Sequence, residues 1–159
     1  MTRRTAIRVS VVATVVIIAA LGLFVIRPTV IVGESMTPTL QSWDFCLMRR
    51  QRHYAPQRGD IVMFRTADDP PLWLIKRVVA LPGEAVAIEH GIVTINGVPL
   101  SEPYTTVNPG WALPLTKVSP GKIYVIGDNR TVNAEETWHG TVAIRLVKGR
   151  LFWSWRWKL

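Results

Sequence analysis

Residues 72–97 read LWLIKRVVALPGEAVAIEHGIVTING, and this stretch decides the fold. Three short apolar runs, Leu72–Leu81, Ala85–Glu89 and Gly91–Ile95, are rich in β-branched residues. Pro82-Gly83 separates the first from the second, and Asn96-Gly97 closes the third. Runs of this length between turn dipeptides are strands rather than helices. The same texture extends both ways. Thr29–Val32, Phe45–Met48, Asp60–Arg65, Lys122–Ile126 and part of Thr141–Trp155 are further candidate strands. Arg58-Gly59-Asp60, Asp69-Pro70-Pro71, Asn108-Pro109-Gly110 and Pro120-Gly121 supply the turns. Ser101 to Pro120 is proline-rich with little periodicity and reads as a long loop. The expected fold is mostly β: one domain over residues 28–159, closed into a small barrel or sandwich.

The N-terminus differs in kind. Val9 to Ile26 is VSVVATVVIIAALGLFVI, without a charge. At 1.5 Å per residue it extends roughly 27 Å as a helix, enough for a bilayer's hydrocarbon core. Arg3, Arg4 and Arg8 precede it and Arg27 follows, so residues 1–8 are expected in the cytoplasm and the domain outside. A cleaved signal peptide is the rival, with Ala19-Ala20 as small residues. The apolar run, however, exceeds the usual h-region and continues past the alanines.

Charge and cysteine content exclude several classes. The 159 residues carry 19 Lys+Arg against 11 Asp+Glu, a net +8. Four of the cations flank the apolar segment, which leaves +4 for the remainder and weakens a nucleic-acid reading. Cys46 is the single cysteine, so an intramolecular disulfide and a zinc site with two thiolates are excluded. His53, His90 and His139 are scattered without metal-ligand spacing. No cofactor or metal is implied.

Two residues carry possible chemistry. Ser35 lies in a Gly/Pro-bounded turn, Gly33-Glu34-Ser35-Met36-Thr37-Pro38, just beyond the apolar segment. Such a serine is ordinarily a solvated loop residue. Lys76 shares its strand face with Leu74, Val78 and Ala80. Burial there, and the charge of adjacent Arg77, would lower its pKa and let the amine act as a general base. The alternative is a lysine that snorkels from a strand end. Gly127-Asp128-Asn129-Arg130 follows a strand and reads as an orienting turn, or as a plain turn with an Asp–Arg pair.

Taken in order behind one anchor, these segments resemble the type I signal peptidases, membrane-bound serine proteases with a Ser–Lys dyad. The resemblance covers Val30 to Trp155. It rests on Gly33–Leu40, Arg58–Val62, Lys76–Glu84, Ile95-Asn96-Gly97, Glu102-Pro103-Tyr104 and Gly127–Arg130. It implies Ser35 as nucleophile, Lys76 as general base, Met36 and Pro38 in the substrate cleft, and an oxyanion hole that uses the Ser35 N–H. Some members add a serine hydroxyl at the position of Gly33, which glycine cannot supply. The family's serine on the lysine amine is matched by Asn133, a longer and flatter amide. Its last Asp–Arg pair is matched by Glu135 and the uncharged Thr137, with Glu135 free to turn to Arg130 instead. The implied activity is removal of signal peptides from preproteins through an acyl-enzyme. The implied setting is a single-pass plasma-membrane protein, bacterial or of the mitochondrial inner membrane. A dedicated processing peptidase and an inactive peptide-binding relative are the alternatives.

The C-terminus alternates, with Trp153, Trp155 and Trp157 on one strand face. These rings either seat the domain on the bilayer or fill the β core.

Overall fold

The computed structural model describes residues 11–14, 25–50, 53–106 and 109–156. Most of the expected anchor, including residues 9–10 and 15–24, lies outside them, as do residues 1–8 and Trp157. Among the described residues no helix is long and apolar enough to cross a membrane.

The domain is mostly β and antiparallel. Its strands are β1 (Ile26–Val30), β2 (Phe45–Arg50), β3 (Ile61–Arg65), β4 (Trp73–Ala80), β5 (Ala85–Glu89) and β6 (Ile92–Ile95), followed by β7 (Val98–Pro99), β8 (Leu113–Lys117), β9 (Lys122–Ile126), β10 (Gly140–Ala143) and β11 (Val147–Trp155). A seven-stranded sheet runs β1-β2-β11-β3-β4-β9-β10, and a four-stranded sheet runs β7-β6-β5-β8. Two departures from the sequence reading have local causes. Pro28 falls within β1, not before it, because β1 is an edge strand whose missing N–H costs no ladder bond. The expected loop Ser101–Pro120 contains β8, disguised by Pro114. That strand too lies at a sheet edge, paired with β5. Asn96 and Gly97 both have positive φ, +52° and +79°, as the tight hairpin between β6 and β7 requires.

Strand β4 occupies the middle of the large sheet, between β3 and β9. Both of its edges are therefore paired, its faces pack into two of the domain's cores, and every residue from Lys76 to Ala80 is buried. Three cores result. Val79, Ala80 and Ile126 pack with Val86, Ile88 and Trp111 of the smaller sheet's side. Val62, Phe64, Val78, Ile123 and Val147 form the second. Cys46, Met48, Ile61 and Met63 form the third, together with Ile31, Met36 and Leu40 from the Ser35 turn. Burial of a side chain the size of Met or Leu is worth about 1.5–3 kcal/mol, so Met36 and Leu40 bolt that turn to the sheet.

Register places Trp153 opposite Leu47 and Trp155 opposite Phe45, with Val30 also opposite Phe45. Directly paired residues share a face, so these side chains form one apolar outer surface. Trp153 and Trp155 are each 46% exposed. The core-filling reading is therefore wrong for these two rings. A bulge between Leu151 and Trp153 turns them outward from the buried end of β11.

Candidate active site

Ser35 sits between exposed Glu34 and buried Met36. The turn is closed by Thr37 N–H to Glu34 O and by Leu40 N–H to Met36 O. Gly33 has φ +102°, a left-handed conformation that favours glycine, and its N–H donates to Ser42 Oγ at 2.9 Å. That N–H is thus engaged within the turn and unavailable to a substrate oxygen. The strand-end segment 127–129 clamps the other side. Asn129 N–H donates to Ser35 O at 3.1 Å, and Asn129 Nδ2 donates to Glu34 O at 3.0 Å.

Gly127 explains how closely Ser35 and Lys76 approach. A Cβ on this residue would collide with the Ser35 carbonyl oxygen, lie 3.3 Å from the Ser35 carbonyl carbon, and lie 3.4 Å from Lys76 Nζ. The serine backbone and the lysine amine thus converge on one spot that only a residue without a side chain leaves open.

Lys76 is 3% exposed. It pairs with Val62 across the β3–β4 ladder, within the second core, so it does not snorkel. Burial lowers its pKa to about 8, opposed by the attraction of the Asp128 carboxylate. The neighbouring Arg77 charge was expected to contribute, but its guanidinium turns away into an ion pair. The amine donates instead to Thr137 Oγ1 at 3.3 Å. Trp138, next in sequence, packs on Phe64 with tilted rings, centroids 5.2 Å apart, and fixes Thr137 over the lysine. His139 bonds Tyr124 Oη through Nδ1 at 3.0 Å. Burial, and then the Lys76 charge, lower the His139 pKa and keep the ring neutral beside the amine.

Arg77 and Asp128 make the rigid backing. Arg77 Nε donates to Asp128 Oδ1 at 2.8 Å and Nη2 to Oδ2 at 2.6 Å, a bidentate pair. Arg77 Nη1 donates to Gly59 O at 2.9 Å, and the guanidinium lies 3.7 Å from the Tyr104 ring centroid. Thr39 Oγ1 donates to Asp128 Oδ2, which ties the serine turn to the same carboxylate. Arg130 is fully buried and makes its own bidentate pair with Glu102, at 2.6 and 2.7 Å. Tyr104 Oη also donates to Glu102, at 3.2 Å.

Several sequence expectations change here. Asn133 does not take the place on the lysine. It is exposed, and its Nδ2 donates to Glu136 at 3.0 Å, because the 3₁₀ turn Ala134–Glu136 brings Thr137 round instead. Glu135 does not reach Arg130: it is exposed, and Glu102 already holds both Nη atoms of the guanidinium while Nε donates to Gly127 O. Asp128 pairs with Arg77 and not with Arg130. Met36 lines a groove of about 200 Å³ beside Ser35, with Ile31, Met63, Trp73 and Ile75. Pro38 does not line it. It is exposed, and its carbonyl accepts from Arg156 Nη2 at 3.3 Å. Sequence reasoning missed Thr39, Glu102, Tyr104 and Thr137 as members of this network. Glu102 and Tyr104 had a signal, a buried-arginine partner within a recognisable motif; Thr137 had none. Among the described residues no cluster of side chains could hold a metal ion.

Residues 3–157 match the family described as Signal peptidase, peptidase S26. The chain is 38% identical over 119 residues to a probable signal peptidase I-1 of Synechocystis sp., covering 69% of this chain and 61% of that protein. It is 31% identical over 161 residues to signal peptidase I of Bacillus caldolyticus, covering 91% and 87%. The crystal structure of a signal peptidase I from Enterococcus faecalis superposes with a TM-score of 0.51 at 28% identity, covering 62% of this chain and 98% of that one. With the match spanning nearly its whole length, the chain belongs to the signal peptidase family, peptidase S26.

Proposed function

We propose that this protein removes signal peptides from preproteins, with Ser35 as nucleophile and Lys76 as general base. The observation that carries this reading is Lys76 itself: a buried amine, neutral above about pH 8, beside a serine turn bolted to the same sheet. Ser35 Oγ attacks the scissile carbonyl carbon while its proton passes to Lys76 Nζ. The C–N bond breaks, the leaving amine takes that proton, and an acyl ester remains on Ser35. Water then attacks the ester while Lys76 takes its proton; the acyl C–O bond breaks, Lys76 returns the proton to Ser35 Oγ, and the acyl fragment leaves with a new C-terminal carboxyl group. The Ser35 N–H holds the oxyanion, since Gly33 offers no hydroxyl and its own N–H is occupied. The substrate lies extended in the groove past Met36, Met63 and Trp73. Only the neutral amine accepts a proton. Single-turnover acylation is therefore expected to rise with slope one below about pH 8 and level off above it. A profile flat from pH 6 to 9 would refute Lys76 as the base.

Thr137 orients the amine in this reading. Thr137→Val is expected to lower kcat about tenfold with little change in KM, and Thr137→Ser to restore it. Equal losses in both variants would reduce Thr137 to a packing residue.

Residues 9–26 form a single-pass anchor in a plasma membrane, with the N-terminus cytoplasmic and the domain outside. The apolar outer surface of Val30, Phe45, Leu47, Trp153 and Trp155 rests on the bilayer beside it. Membranes washed with alkaline carbonate should retain the chain; its release would contradict the anchor.

A further inference from the structure

A second cavity, about 1180 Å³ and larger than the groove at Ser35, opens between the start of β1, the end of β2 and the turn into β11. Arg27, Arg50, Arg145 and Lys148 line it, with His53 at its wall. Among the described residues no carboxylate does. Elsewhere in the domain Arg58, Arg77, Arg130, Arg150 and Arg156 each face an acidic partner. Among the described residues the four cations of this cavity form no ion pair. Arg27 lies over the Trp73 ring, 4.5 Å from its centroid, and Lys148 Nζ donates to Arg145 O at 3.3 Å. Four positive charges gathered around one opening repel one another, and an anion relieves that repulsion.

Position narrows the choice of anion. Val25, the next-to-last residue of the apolar run, lies on the cavity wall, and Trp73, 47% exposed, lies on it too. In an anchored chain these residues sit at headgroup depth, where tryptophan is favoured and cations attract acidic lipids. We propose that this cavity binds the headgroup of an anionic phospholipid, with the phosphate among Arg27, Arg50, Arg145 and Lys148 and the acyl chains leaving past Val25 and Trp73. The inference rests on the anchor reading of residues 9–26. Trp73 also lines the groove beside Ser35, so an occupied site would border the substrate path.

The full chain in detergent micelles, titrated with phosphatidylglycerol or phosphatidylcholine of identical acyl chains and read by native mass spectrometry, tests this. Phosphatidylglycerol is expected to bind about tenfold more tightly. Arg50→Gln with Arg145→Gln should abolish that preference, while Lys117→Gln with Lys122→Gln, outside the cavity, should leave it intact. Arg50→Gln alone should weaken it and provides a milder variant if the double one melts early. Inorganic phosphate and glycerol phosphate should not displace the lipid at matched concentration. Equal binding of the two lipids, or a preference that survives the double variant, overturns the proposal. Displacement by free phosphate would make this a soluble-anion site, and displacement by an acidic peptide a substrate contact; either also overturns it. Carbonate extraction and preprotein cleavage on the same preparation keep the readings apart. A chain that stays in the membrane and cuts, yet shows no lipid preference, loses this site alone. A chain that carbonate releases but that prefers phosphatidylglycerol loses the anchor alone.

Discussion

Lys76→Met is expected to give a protein that is inactive and more stable than the parent. Methionine keeps the unbranched side chain as far as Cε, and its packing against Val62, but removes the buried amine. A pKa drawn down from 10.5 to about 8 means that folding penalises the charged lysine. At about 1.4 kcal/mol per unit the ceiling is roughly 3 kcal/mol, and relaxation brings the expected gain to about 1–3 kcal/mol. The sign follows from proton counts. Below about pH 8 both folded and unfolded chains hold the proton, and the penalty is present in full. Between about 8 and 10.5 the unfolded chain holds a proton that the folded one does not, so the parent gains stability as pH rises. The advantage of Lys76→Met should therefore be largest at neutral pH and shrink toward pH 10. Cleavage should fall about 10⁴-fold or more, as for loss of one member of a nucleophile–base pair. Denaturant melts at pH 7 and pH 10, alongside preprotein cleavage, measure both effects. A variant that is less stable at pH 7 would mark the amine as structural support.

Arg77→Met is expected to do the reverse, costing about 3–5 kcal/mol of stability. It strands Asp128, whose carboxylate is fully buried, without the two charge-assisted hydrogen bonds that hold it. Gly59 O loses a donor, and Thr39 is left as the remaining side chain on the carboxylate. The loss also reaches the site, because Asp128 lies between Gly127 and Asn129, the two residues that contact the Ser35 backbone. Domains of this size are stable by about 5–15 kcal/mol, so the variant would be marginal at physiological temperature. Arg77→Met combined with Asp128→Leu should recover much of the loss, since the unpaired charge goes with its partner. Urea midpoints of the two variants decide it. Equal destabilisation in both would mean that packing, and not the stranded carboxylate, carries the cost.

How much of this was legible beforehand varied with how local the cause was. The strand Leu72–Leu81 was read nearly to its observed limits because β-branched residues and Pro82-Gly83 bracket it. The hairpin at Asn96-Gly97 was equally plain. Strand β8 was not, since Pro114 speaks against a strand until its place at a sheet edge is known. Lysine on an apolar face was visible from period-two alternation, but its burial depended on the distant residues that pack against that face of β4, Ile123 and Val147 among them. Ion-pair partners were the least legible. Arg130 finds Glu102, 28 positions away in the chain, and Arg77 finds Asp128, 51 away. Thr137 was read as the loss of a charge. Its gain of the lysine contact follows from a 3₁₀ turn and from Trp138 docking on Phe64. No residue pattern within the segment announces that geometry.

The most direct test of the central claim is cleavage of one preprotein bearing a small-x-small site by the detergent-solubilised chain, its Ser35→Ala variant and its Lys76→Met variant, with products mapped by mass spectrometry. The account predicts a cut after the small residue by the parent chain only, with both variants folded and silent. Cleavage at that bond by either folded variant would contradict it.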